Sequence, residues 1–128
     1  MSLLILSLAI AVAEPVAEPA VENEITVIGN KLRAWQGRWK LRKGAITCKT
    51  TRSTGDKAID AIGCDAMVQC IQPIAPQWTA LNEAKLPKDE ANRRANALLQ
   101  EARVGDCVFV QREAGIAALA AVRRSKRP

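Results

Sequence analysis

The chain has no histidine and no tyrosine, and Phe109 is its single phenylalanine. Without histidine, general acid–base catalysis loses its usual agent near neutral pH, and a metal site loses its commonest nitrogen ligand. There is no C-x-x-C pair for thioredoxin-like exchange, no glycine-rich phosphate loop and no paired zinc-knuckle spacing. The apolar stretch Leu3 to Val12, interrupted by Ser7, is shorter than the roughly 20 residues of a spanning helix. These absences speak against an enzyme, a metal protein and a membrane-spanning protein. No catalytic residue, cofactor or metal-ligand set is assigned.

What is present first concerns location. The short apolar stretch is followed by Ala11-Val12-Ala13, a small-x-small pattern that predicts a signal peptide over 1–13, cut before Glu14. No Lys or Arg precedes Leu3, so only the α-amino group supplies the positive end. Glu14-Pro15 and Glu18-Pro19 follow, and every charge up to Glu24 is acidic. Proline favours extended backbone and like charges repel, so 14–24 reads as a solvated linker. Residues 25–128 then form one small domain with a basic tail over 123–128. The formal charge of +6 lies entirely outside the leader, which has no ionisable side chain.

Periodicity gives an α+β reading. The β-branched run 25–28, stopped by Gly29-Asn30, reads as a short strand. Lys43-Gly44 is a two-residue turn between strands spanning about 38–51. A two-residue turn sets Leu41 opposite Ile46, Trp39 opposite Cys48, Lys40 opposite Thr47 and Arg38 opposite Lys49. Because side chains alternate, Trp39, Leu41, Ile46 and Cys48 share one face, and Lys40, Arg42, Thr47 and Lys49 share the other. The apolar face needs a cover. Asp56 is a good N-cap, and Ile59, Ile62, Ala66 and Cys70 recur at helical spacing, so a helix at about 57–70 supplies it. Pro73 and Pro76 end that helix. A brief helix over 77–84, a longer one after Leu86-Pro87 and a last one over 107–122 complete a mainly helical C-terminal half, with Gly105-Asp106 breaking the last two apart.

Four cysteines behind an export leader read as disulfides, since an oxidising compartment staples even sets of thiols. Cys64 and Cys70 are about 9 Å apart along a helix and point in different directions, beyond the roughly 7 Å reach of a disulfide. Cys48–Cys64 with Cys70–Cys107 is preferred, because it ties the apolar hairpin face to its cover and that helix to the last one. Cys48–Cys70 with Cys64–Cys107 stays open.

The strand Ala45 to Arg52, the turn Ser53-Thr54-Gly55, the pair Ile59-Asp60 and Ala66-Met67 resemble the C-terminal domain of TonB-type energy transducers over about 38–68. That family follows its helix with further strands, whereas here Cys70-Ile71-Gln72-Pro73 leads into helices. The resemblance implies a Gram-negative envelope protein and a partner module that adds a strand at a sheet edge, here the one near Arg52.

The chemistry is mostly charge. Between Lys31 and Lys57, Asp56 is the only acid, and Trp35 and Trp39 interleave with the cations. With Trp side chains turned to the core, Arg38, Lys40, Arg42 and Lys49 form an outward anion- or partner-binding surface. Its expected partners are an envelope protein, an anionic lipid or lipopolysaccharide; nucleic acid is not expected for an exported chain. The expected function is therefore an exported, periplasmic or secreted, non-enzymatic domain that binds or scaffolds an envelope component. A TonB-like module is the first alternative, and a small envelope enzyme using Asp60 or a thiol is the second.

Overall fold

A computed structural model describes residues 19–126. The predicted signal peptide and the first part of the linker lie outside them. Among the described residues the order is α1 (Pro19–Arg33), β1 (Gln36–Arg42), β2 (Ala45–Arg52), α2 (Lys57–Ile71), a 3-10 turn (Gln72–Ile74), α3 (Ala75–Glu83), α4 (Lys88–Glu101) and α5 (Val104–Ser125). The fold is α+β: one antiparallel ribbon in a mainly helical chain, with two disulfides.

The first helix corrects two expectations. The segment 25–28 is not a strand, and the linker does not extend to 24, because α1 runs through both. Proline suits a first helical position, and Glu22 complements the helix dipole in the first turn. The β-branched run hid a helical stripe. Ile25, Ile28 and Leu32 are spaced three and four apart, and they turn toward α2 and α5, with Ile28 fully buried. Burial of that stripe outweighs the modest helix cost of branched side chains. Glu24, expected in solvent, is buried.

The hairpin has the register read from its turn: Leu41↔Ile46, Lys40↔Thr47, Trp39↔Cys48 and Arg38↔Lys49. Lys43 and Gly44 both have positive φ, the twist that two-residue hairpins require. At the far end the register shifts between Gln36 and Gly37. This irregularity accommodates Trp35: a Cβ on Gly37 would sit 2.4 Å from its ring, and one on Gly63 of α2 would sit 2.5 Å from it. The indole therefore lies between two residues that must lack side chains. Its Nε1–H donates to Thr50 Oγ1 at 2.9 Å.

Two hydrophobic clusters meet at Met67. The first joins Ile28, Leu32, Trp35, Ile59, Ile62, Ile116 and Ala120, and buries α1, α2 and α5 against one another. The second lies under the hairpin tip, where Ile46, Cys70, Ile71, Ile74, Ala75 and Val104 are surrounded by half-buried Trp39, Trp78, Leu98 and Leu99. Trp39 and Trp78 meet edge to face at 4.7 Å, a favoured aromatic geometry.

Cys48–Cys64 and Cys70–Cys107 are the disulfides, with Cα separations of 5.4 and 5.7 Å. Two boundaries differ from expectation. Gly105-Asp106 does not break the chain, because α5 already starts at Val104, after Arg103 makes the turn with φ 52°. The basic tail over 123–128 begins inside α5: Arg123 and Arg124 are helical, and Arg123 pairs with Asp56.

Candidate anion-binding face

The outer side of the ribbon follows from strand alternation and from what covers the other side. α2 packs on the inner face, so Trp39, Leu41, Ile46 and Cys48 are buried or half-buried. The same alternation leaves Arg38, Lys40, Arg42 and Lys49 exposed. They line one depression of about 480 Å³, together with Thr47 and Thr51. Thr51 belongs to it by the same parity as Thr47 and Lys49, so it was legible in the pattern although not singled out.

Electrostatically the face is uniform. No Asp or Glu occurs between Lys31 and Gly55. Among the described residues, no salt bridge involves any of the four outward cations. Arg38 stands directly opposite Lys49, a cross-strand pairing of like charges that destabilises a ribbon. An anion bridging the two rows would convert that repulsion into attraction, and the neighbouring threonine hydroxyls can donate to the same oxygens. Both tryptophans of the interleaved segment are committed to the interior: Trp35 is buried and Trp39 packs on Trp78. The outer face thus offers charge and hydroxyls, without an aromatic platform on which bases would stack.

Asp60, the carboxylate of the enzymatic alternative, and nearby Asp56 both have structural tasks. Asp56 caps α2, accepting from the Ala58 and Ile59 N–H groups at 3.0 and 3.4 Å, and it also receives the Arg123 guanidinium. Arg123, reinforced by those N–H bonds, holds its carboxyl below the ordinary value of 3.8. Asp60 closes the turn before the helix. It accepts from the Ser53 hydroxyl, the Thr54 N–H at 2.8 Å and the Thr54 hydroxyl at 2.7 Å. Those bonds, Ser53 first, lower its pKa too, and a carboxylate so satisfied is a weak proton acceptor. All four thiols are in disulfides.

One residue that sequence reasoning passed over controls the ribbon's edge. The side-chain amide of Gln72, just past α2, accepts from the Ile46 N–H at 2.8 Å and donates to the Gly44 carbonyl at 2.9 Å. It satisfies one outward donor of β2 and one acceptor of the turn, as a neighbouring strand would. A polar residue directly after a helix and before Pro73 carries no sequence signature for such a role.

Arg52, expected at a usable sheet edge, is exposed at the end of β2, opposite Gln36. The segment resembling the TonB-type domain forms a hairpin and a helix, and the residues after it, 72–83, form a 3-10 turn and α3. No helix among the described residues is long and apolar enough to cross a membrane. No protein-family model, curated protein or solved structure matches the chain.

Proposed function

We propose that the chain is an exported, non-enzymatic binding domain whose hairpin docks on an anionic, phosphate-bearing component of the cell envelope, such as acidic lipid or lipopolysaccharide. The observation that carries this reading is the unneutralised outer face, where Arg38 and Lys49 oppose each other with no acid to separate them. The leader pattern and the two disulfides support an oxidising location outside the cytoplasm. Each basic residue near an anionic surface contributes about 1 kcal/mol. The R38E/K49E chain should therefore bind phosphatidylglycerol vesicles at least tenfold more weakly in sedimentation. The native chain should bind them at low salt, release them at high salt and ignore phosphatidylcholine. Equal binding to neutral vesicles, or binding indifferent to salt, would remove the reading.

A TonB-like partner module is the second reading. It is supported by β2 having one ladder neighbour, so its outer edge is open to strand addition beyond the part that Gln72 occupies. Backbone pairing of that kind survives high salt, so a partner retained there would favour the edge over the cationic face.

A further inference from the structure

A second groove lies between α1 and α5 and has a different chemistry. It encloses about 380 Å³, the small end of the usual range for ligand pockets. Its lining includes Arg33 and Asn30 from α1, and Phe109, Arg112 and Ile116 from α5. Arg112 lies over the Trp35 ring, its guanidinium carbon 5.4 Å from the centroid, within cation–π distance. Trp35 is itself immobilised between Gly37 and Gly63.

Three facts distinguish this groove from an ordinary helix seam. Arg112 has no hydrogen-bond partner among the described residues, and its Nε is shut away from solvent, so the terminal guanidinium nitrogens are the donors a ligand in the groove can meet. Arg33 is likewise in no salt bridge there, and Glu113 is the one acid of the lining, so the groove carries a single net positive charge. Phe109, the chain's only phenylalanine, is 65% exposed at the groove, and adjacent Val110 is 60% exposed.

We propose that this groove binds an amphipathic monocarboxylate. The planar Arg112 fork takes the carboxylate, which guanidinium matches in two parallel hydrogen bonds. Asn30 can donate to the same head. The apolar body lies along Ile116 and under Phe109, which withdraws that ring from water. A single net charge matches one carboxylate better than a polyanion. The proposal is independent of the cationic hairpin, since no residue is shared between the two surfaces.

The probe is octanoate, titrated by calorimetry and by amide chemical shifts into the full, oxidised chain. Acetyl-Ala-Ala-Phe, which ends in the same chemistry, tests a peptide C-terminus as the source. The groove should saturate with one of them, shifting resonances of 26–33 and 109–116. Octanol, equally apolar but uncharged, should bind at least tenfold more weakly. Arg112→Met should weaken binding about tenfold or more, and Arg112→Lys should recover only part of the loss, because the fork is gone. Phe109→Ala alters only an exposed ring, so it should leave the melting temperature in place while weakening binding a few-fold. R38E/K49E should bind octanoate normally, which separates failure here from failure of the hairpin reading. Octanol binding as well as octanoate, unchanged affinity in Arg112→Met, or no saturation by either acid below about 10 mM would each overturn the proposal.

Discussion

The two hydrophobic clusters are held together by different means. Around Trp35 the chain buries branched aliphatic side chains completely: Ile28 and Ile59 are at 0% exposure, and the local disulfide spans 16 residues. Around Trp78 the buried set Ile46, Ile71 and Ile74 is fringed by half-buried Trp39, Trp78, Leu98 and Leu99. α4 has no buried residue, and the disulfide there spans 37 residues. Burying an isoleucine fully is worth about 1.5–3 kcal/mol, and a half-buried leucine gives a fraction of that. Closing the longer loop removes more entropy from the unfolded chain. The first region closes over fully buried isoleucines, and the second ends in a thinly packed α4 layer inside the longer covalent loop.

The largest test of that contrast is to cut each tie. C70A/C107A should lose about 4 kcal/mol and C48A/C64A about 3 kcal/mol, measured by urea unfolding. Hydrogen exchange should show α3 and α4 opening first in the former. Equal protection of both regions in C70A/C107A would break the comparison. Next come the side chains. Ile59→Ala should cost about 3 kcal/mol, and Leu98→Ala about half as much, because it leaves less of a cavity.

Asp56 ties the start of α2 to the end of α5 within the better-packed region. Asp56→Ala should cost about 1–2 kcal/mol from the lost cap. The pH dependence has a defined sign. The folded-state pKa lies below 3.8, held there first by Arg123, so the contribution is complete above that value and is lost as pH falls through the lower one. The stability gap between the native chain and Asp56→Asn should therefore be wide at about pH 5 and narrow at about pH 2.5. The smallest effect lies outside both clusters. Lys49→Glu places an acid opposite Arg38 and should raise stability by about 0.5 kcal/mol while weakening anion binding. A protein more stable without its cationic pair carries that pair for something other than folding.

The hairpin, its register and the capped helix were legible because each rests on local rules: a two-residue turn, strand parity and an Asp cap. The reach of a sulfur bridge excludes Cys64–Cys70, and the preference between the other two pairings comes from the expected cover of the hairpin by α2. The four outward cations followed from the same parity. α1 was not legible as a helix, because its β-branched residues satisfy a strand pattern locally and its true stripe acquires meaning only against α2 and α5. Gln72 and Arg112 were invisible for a related reason. Their partners, Ile46 and Trp35, lie far away in sequence, and nothing near either residue marks the contact.

The Gln72 amide has one more consequence. A ribbon of two strands is the surface on which identical chains stack into fibres, each copy templating the next through bare peptide groups. Here the outward donor of Ile46 and the acceptor of Gly44 are already occupied by a side chain that cannot propagate. One glutamine blocks template pairing at the turn end of β2, while the rest of that edge keeps β1 as its one ladder neighbour.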